Sequence, residues 1–238
     1  MIGSVGAWLS DPANWQGPEG IVARLNEHLA YSLLAVLIAG LIAFPLGVFI
    51  GHTGKGTFIV AGTANALRAL PTLGLLILLV LTIANAMPAA LTYRVPAMIV
   101  LVLLGIPPIL SGTYAGVANV DPAVRDAAYG MGMTSGVVAW RVEVPVAVPL
   151  IIGGVRSALL QVIATTTVIA YVSLGGFGRY VIDGLKQQDY PQMAGGSVLV
   201  AVLAIVVDVL MAGVQRLTSP GRPLRAPRGQ LRRQPASG

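Results

Sequence analysis

Charged residues are scarce in this sequence, and cysteine is missing altogether. Of the 238 residues, 10% are charged and 55% are hydrophobic, and the mean hydropathy is +0.80. A soluble domain usually has about 25% charged residues, so this chain has too little polar surface to cover a water-soluble globule. The lack of cysteine excludes disulfides and cysteine-ligated metal centres, and the two histidines, His28 and His52, are too few for a histidine-built metal site. The composition predicts a membrane protein.

A nucleotide-binding loop is also missing. Such a loop needs Gly-x-x-x-x-Gly-Lys followed by Ser or Thr, and in the nearest stretch, residues 51–56, a glycine follows Lys55. The sequence contains no paired carboxylates, Ser–His arrangement or HExxH motif. We therefore expect no catalysis by this chain itself, and no cofactor or metal of its own.

Five apolar segments are candidates for membrane-spanning helices, each of which needs about 20 apolar residues. Backbone polar groups in lipid must bond internally, so unbroken apolar runs predict helices. The sequence therefore predicts an all-α membrane protein, with an N-terminal segment 1–27, a transmembrane domain 28–215 and a basic, disordered tail 216–238. The five candidate spans run over about 29–50, 57–84, 95–117, 146–173 and 192–215.

The second segment is interrupted by Asn65, Arg68 and Pro71. Proline removes a helix hydrogen bond and kinks or breaks the helix, so residues 57–68 could lie obliquely at the interface while 71–86 cross. A broken helix of this kind often lines a cavity in a transport protein. The alternative is a packing kink, with Arg68 reaching toward the lipid headgroups.

Basic residues fix the predicted orientation. Alternating spans place nine of them on the side of the C-terminus, six in the tail and three at Lys55, Arg125 and Arg141, and four on the other side. Because cytoplasmic loops carry the excess of Lys and Arg, we predict that the N-terminus is outside, the C-terminus inside, and residues 118–145 in the cytoplasm. The net charge of +6 then reflects topology and attraction to anionic lipid rather than nucleic-acid binding.

The polar segment 118–145 has the pattern of two short helices joined by a glycine elbow. Asp121-Pro122 is an acidic cap followed by proline at the first helical position, and Asp126 falls in the first turns, where the helix dipole favours a carboxylate. Gly130 and Gly132 should end or bend this helix, and Pro145 should interrupt the next one at the membrane surface.

The same segment resembles a named signature. Permeases of binding-protein-dependent ABC importers carry a cytoplasmic loop with Glu-Ala-Ala, three residues, Gly, nine residues, and Ile-x-Leu-Pro. The departures here are Asp for Glu and Val for Ile and Leu. The matching residues are Asp126, Ala127, Ala128, Gly132, Val142, Val144 and Pro145.

Over residues 28–215 the chain is similar to permeases of the glycine betaine, carnitine and choline branch of osmoprotectant importers. The resemblance rests on Asn65 with residues 71–73, and on residues 106–108, 121–122, 130–133, 174–178, 183–185, 189–190 and 194–196.

This resemblance implies a type I ABC importer permease fold, like that of methionine importers, in the bacterial plasma membrane. It also implies a second permease chain, identical or paralogous, two ATPase subunits that bind ATP and Mg, and an external substrate-binding protein. In this family the signature loop forms the coupling helix that contacts the ATPase, which here would involve Asp121, Arg125, Asp126, Ala127, Ala128, Gly130, Gly132 and Pro145.

The resemblance also predicts import of compatible solutes such as glycine betaine, choline, carnitine or proline. Only 6% of the residues are aromatic, and quaternary ammonium groups are usually held by aromatic cages, so recognition is expected in the external binding protein. The alternatives are the same machine with another solute, such as an amino acid or a sulfonate, or an ion-coupled transporter.

Two ionisable residues fall inside predicted spans, where charges are costly. Arg156 lies about ten residues beyond Pro145, and Asp208 eight residues before Arg216. At 1.5 Å per residue both lie on the order of 12–16 Å from the cytoplasmic boundary, so we predict that they pair. The pair could lock two spans together or act on the substrate.

Further polar residues are candidates for lining a translocation path. Ser157, Gln161 and Thr165 share one helical face at a spacing of four residues, with Tyr171 nearby, and Asn65 and Pro71 lie in the interrupted second segment. The alternative is interhelical packing with hydroxyls bonded to backbone carbonyls, which is common in membrane bundles.

Overall fold

Four helices of the described chain are long and apolar enough to cross a membrane. The computed structural model describes residues 2–58, 60, 62, 71–83, 86–172 and 174–219. The α-helices whose bounds are described are α1 Ile2–Ser10, α2 Ile21–Thr53, α3 Thr72–Ile83, α4 Arg94–Ala118, α5 Pro122–Gly130, α6 Ser135–Val138, α7 Val144–Ile169, α8 Gly178–Gln187 and α9 Tyr190–Thr218. The predicted all-α architecture is therefore confirmed.

The first spanning helix extends well beyond its apolar part. α2 has 33 residues, or about 50 Å at 1.5 Å per residue, whereas the hydrocarbon core of a bilayer is about 30 Å thick. It begins eight residues before the predicted span at Leu29, because a helix can begin in polar sequence before its apolar stretch. At its far end Gly54 adopts φ 69° and its N–H bonds to the carbonyl of Ile50 at 2.9 Å.

The second predicted span is described only in part. α3 has 12 residues, about 18 Å of helix, which is too short to cross the core alone. Pro71 precedes α3, and its carbonyl accepts the first hydrogen bond from Leu75 at 2.9 Å, so it does not interrupt the described helix. Asn65 and Arg68 lie outside the described residues.

The predicted interruption at Pro145 is wrong. α6 continues through a π-helical turn, Ala139–Glu143, into α7, and a short 3₁₀ turn, Ala170–Val172, extends α7 further. A proline lacks the N–H that an α-helix needs, and a π-turn is a local change of hydrogen-bond register. The missing N–H falls just after that change of register, so the helix passes through.

Glycines allow the central helices α2, α4 and α7 to pack closely. A Cβ at Gly112 of α4 would lie 2.7 Å from the Cα of Gly154 in α7, and a Cβ at Gly154 would lie 2.7 Å from the carbonyl oxygen of Pro108. On the other side of α4, Gly47 of α2 fits against Thr113. Small residues at helix contacts are how membrane helices gain close packing.

We expect the α4–α7 contact to be sensitive to a single methyl group. Gly154→Ala should lower the free energy of unfolding of the purified chain by about 1–3 kcal/mol, as overpacking does. The matched control is Gly213→Ala in α9, where a Cβ meets nothing within 4 Å and helix propensity favours alanine by up to about 1 kcal/mol. Thermal unfolding in detergent measures both, and equal midpoints for the two variants would contradict this packing.

Candidate functional site

The polar segment between α4 and α7 begins with a capped helix. The Oδ1 atom of Asp121 accepts a hydrogen bond from the N–H of Ala123 at 2.9 Å, and Pro122 occupies the first helical position of α5. This satisfies one free N–H at the helix start, and proline fits there because its missing N–H would have no partner. The cap fixes where α5 begins after the spanning helix α4.

A glycine ends α5. The N–H of Gly132 bonds to the carbonyl of Tyr129 at 2.9 Å, and the N–H of Met133 bonds to that of Ala128 at 3.2 Å. This is the two-bond pattern of a Schellman motif, which needs a left-handed residue. Gly132 supplies it with φ 82°. The elbow therefore turns the chain between α5 and α6.

Neighbouring residues of α5 face opposite ways. Asp126, Ala127 and Gly130 are exposed, whereas Ala128 is buried. Exposed apolar side chains adjoin them, namely Val124, Tyr129 and Met131, the last 71% exposed. Apolar groups grouped on a polar surface segment are typical of a protein contact.

Sequence reasoning missed a buried carboxylate behind α5. Glu143, in the π-turn, is 1% exposed; its Oε1 lies 2.8 Å from Nε of Arg125, and its Oε2 lies 2.7 Å from Nδ1 of His52. Arg125 also donates from Nη2 to the carbonyl of Val117 at 2.5 Å. His52 and Glu143 are 91 residues apart, so no local pattern could have linked them; the only signal was a lone acid among valines.

The structure brings Arg156 and Asp208 together. Nε and Nη2 of Arg156 donate to the two carboxylate oxygens of Asp208 at 2.6 and 2.7 Å, a bidentate geometry that is among the stronger ion pairs. The pair joins α7 to α9, and each side chain is about one third exposed.

The candidate path residues of α7 lie on its outer face. Ser157, Gln161 and Tyr171 are exposed, and Thr165 is partly exposed. Ser157 donates to the carbonyl of Gly153 at 3.0 Å, and Thr165 to that of Gln161 at 2.8 Å. Their hydroxyls are thus satisfied within their own helix. Pro71 is exposed at the start of α3.

At the opposite end of the bundle, two residues at the start of α2 hold the loop after α7. Glu27 accepts from the N–H of Gly176 at 2.8 Å, and Nδ1 of His28 accepts from that of Phe177 at 3.3 Å. Nε2 of His28 lies 3.1 Å from the carbonyl of Ile163 and must donate there. His28 is therefore neutral in this arrangement.

A polar cavity of about 330 Å³ lies beside this loop, between α1, α2 and α8. Trp8 and Tyr180 meet there edge to face, with ring centroids 5.1 Å apart. The Tyr180 hydroxyl donates to the carbonyl of Glu19 at 2.6 Å. Burial raises the pKa of Tyr180 to about 12, so the hydroxyl keeps its proton and this bond at physiological pH. Within the described residues, no cluster of three or more His, Asp or Glu could hold a metal ion.

Residues 43–222 match a protein family described as the binding-protein-dependent transport system inner membrane component. Among curated relatives, the glycine betaine/carnitine/choline transport system permease protein OpuCB of Bacillus subtilis is 32% identical over 84% of this chain and 89% of its own length. The choline transport system permease protein OpuBB of the same organism is 33% identical over the same shares. The osmoprotectant import permease protein OsmW of Salmonella typhimurium is 31% identical over 84% and 93%.

Solved structures share the fold. A chain of the inward-facing MetNI methionine ABC transporter superposes with a TM-score of 0.73 over 84% of this chain and 96% of its own, at 18% identity. An amino acid ABC transporter gives a TM-score of 0.61 over 83% and 91%, also at 18% identity. The chain thus belongs to the family of binding-protein-dependent transport system inner membrane components, and it is a multi-pass ABC transporter permease subunit of the bacterial inner membrane.

Proposed function

We propose that this chain is the transmembrane subunit of an ATP-driven importer for compatible solutes, and that separate ATPase subunits act on it through residues 121–135. One observation carries the proposal. The first part of the importer signature, residues 126–132, lies in a capped helix and a glycine elbow with an exposed outer face. ATP and Mg belong to the partner ATPase, because the family's permeases carry no ATPase site of their own.

Glycine betaine, choline and carnitine are the proposed solutes. The relatives that are about 30% identical over most of both chains are named for these compounds, whereas the solved amino acid and methionine transporters are 18% identical and support the fold alone. A separate binding protein on the outer side would select the solute, since aromatic residues are few in this chain.

The proposed topology has segment 1–27 outside, the permease domain at 28–215, and the basic tail 216–238 inside, where it meets anionic lipid. The excess of Lys and Arg on the side of residues 118–145 supports it. Residues 220–238 lie outside the described residues.

A second permease chain, identical or paralogous, would complete the path. In the described structure α7 presents Ser157 and Gln161 on its outer face. Polar side chains of spanning helices usually face a bundle interior or a water-filled cavity rather than lipid. This face of α7 therefore fits the lining of a path between the two permease chains.

Alternating access is the proposed mechanism. ATP binding closes the ATPase pair, α5 and its elbow move as a rigid lever, and the spanning helices open outward to receive the solute. Hydrolysis then returns the path to the inward-open state. Only differential binding of ATP and solute to the two states can shift such an equilibrium.

Co-purification with an ATPase tests this proposal. The full chain, solubilised with its complex, should retain an ATP-hydrolysing subunit, and Ala127→Arg should lose it because a long cation replaces an exposed methyl on α5. Ser197→Ala is a control on an exposed residue of α9, and should retain it. An intact complex with Ala127→Arg, or uptake without any ATPase, would contradict the proposal.

Solute identity has its own test. The binding protein of the same complex should bind glycine betaine, choline or carnitine and should not bind sulfonates or amino acids other than proline. The reverse preference would show that the proposed solute is wrong, while the assignment as an ABC permease would stand.

A further inference from the structure

Helix α5 is held against the bundle by polar and charged side chains around one buried carboxylate, Glu143. Its partners are Arg125, His52 and Ser135, and the four residues are here called the clamp. Glu143 has a different partner on each carboxylate oxygen: Arg125 of α5 on Oε1 and His52 of α2 on Oε2. The other ring nitrogen of His52 lies 2.6 Å from the Ser135 hydroxyl at the start of α6. One carboxylate thus contacts two helices that are far apart in sequence.

The chemistry of Glu143 fixes the hydrogen positions around it. An ionised carboxylate only accepts hydrogen bonds, so Nδ1 of His52 must carry the proton that faces Oε2. Arg125 approaches Oε1 as an ion pair rather than an aligned hydrogen bond. Glu143 is 1% exposed and depends on these partners, because an unpaired buried charge is costly.

The clamp supplies a constraint that the chain itself does not. Covalently, α5 joins the bundle through Asn119 and Val120 on one side and through the Gly132 elbow on the other. The two charged residues of α5 lie on different sides of the helix. Asp126 is exposed, whereas Arg125 points into the bundle and contacts both Glu143 and the carbonyl of Val117. Without the inward contacts, α5 could pivot about its two short links.

We propose that Glu143 is a positioning residue for energy coupling, which makes α5 a rigid lever by clamping Arg125 to the ends of the spanning helices. The inference rests on the proposed function in that α5 receives the ATPase motion. Glu143 touches neither nucleotide nor solute in this account, and it acts through Arg125 and His52. Loss of the clamp leaves α5 docked on the ATPase while the spanning helices no longer follow its displacement.

A ratio measured in the reconstituted complex tests the coupling. Glu143→Gln keeps the shape and a hydrogen-bonding group but removes the charge that holds Arg125. Uptake of labelled glycine betaine per ATP hydrolysed should fall about fivefold or more, the size typical of breaking one member of a charged network, while the ATPase stays bound. Arg141→Gln removes one charge, of opposite sign, on the exposed side of the same turn, and should keep the wild-type ratio.

A structural role alone would lower the amount of complex and leave this ratio unchanged. A wild-type ratio in Glu143→Gln, or an equal fall in Arg141→Gln, would overturn the proposal. Arg125→Gln combined with Glu143→Gln removes both charges. The ratio of uptake to ATP hydrolysed should be no lower in this double variant than in the worse of the two single variants, because the two residues act as one unit.

The distance between α5 and the end of α2 tests the clamp without any solute. The sequence has no cysteine, so Lys55→Cys and Ala123→Cys are the only labelling sites in the purified permease chain, and electron paramagnetic resonance measures the distance between the two spin labels. We expect one narrow distance in the wild-type and Arg141→Gln backgrounds and several in Glu143→Gln. One narrow distance in all three backgrounds would overturn the clamp and leave the proposed function standing. If the distance broadens in Glu143→Gln but the wild-type complex takes up no glycine betaine, the clamp stands and the proposed solute is wrong.

Discussion

Arg156→Ala, made alone, should yield about a tenth or less of the folded permease that the wild-type chain yields. Removing one partner of an ion pair strands the other charge among apolar helices. Asp208 would then lie in α9 without the two hydrogen bonds, of 2.6 and 2.7 Å, that it now accepts. The measurement is the yield of monodisperse protein by size-exclusion chromatography in mild detergent. Asp208→Ala should give the same loss, with Arg156 as the stranded charge.

Three variants separate a structural pair from a role in transport. The double variant Arg156→Ala with Asp208→Ala should recover most of the yield, since no lone charge remains. The exchange Arg156→Asp with Asp208→Arg should recover it as well. Arg179→Ala removes a pair with Asp183 at 2.9 Å on α8, outside the spanning helices. Both side chains line the polar cavity, so the carboxylate left behind is not stranded among apolar helices, and the yield should change little.

The outcome decides between the two interpretations of this pair. A double variant that folds and transports shows a structural lock between α7 and α9, whereas one that folds without transporting shows a role on the path. If the single and double variants lose equal amounts of protein, the stranded-charge argument is wrong.

Gly132→Val should uncouple the permease from its ATPase. Gly132 has φ 82°, where an L-residue costs roughly 1–2 kcal/mol and a β-branched one is a strong outlier. The Schellman bonds of the elbow would break or distort, so α5 would lose its orientation. We expect uptake per complex to fall about tenfold, the change in an equilibrium that a cost of this size produces.

Gly130→Val is the matched control for the elbow. A Cβ meets nothing within 4 Å at either glycine, and only Gly132 has a positive φ. Gly132→Asn should keep most of the activity, because asparagine tolerates the left-handed region better than other residues. Equal effects of valine at Gly130 and Gly132 would show that bulk on this surface, and not backbone strain, is what matters.

The spanning helices and the elbow could be predicted because their causes are local. Length and apolarity alone define a spanning helix, and Asp121-Pro122 with Gly132 marks the start and end of α5 in adjacent residues. The contact of Arg156 with Asp208 followed from their equal depth on antiparallel spans, which is a geometric property of the sequence once the spans are known.

What could not be predicted depends on contacts between distant residues. His52 and Glu143 are 91 residues apart, and His28 and Phe177 149 apart, so neither spacing carries a signal. The passage of the helix through Pro145 was mispredicted because a π-turn depends on hydrogen-bond register rather than on the proline alone. α2 began earlier than expected, because hydropathy detects the apolar part of a helix and not its polar continuation.

Uptake by proteoliposomes shows whether ATP hydrolysis by a partner chain drives solute through this permease. The purified complex is reconstituted into vesicles, with ATP and Mg either trapped inside or omitted. The binding protein and labelled glycine betaine or choline are then added outside. We expect accumulation only with internal ATP, and none from a Na⁺ or proton gradient alone. Accumulation driven by an ion gradient without ATP would contradict the proposed function.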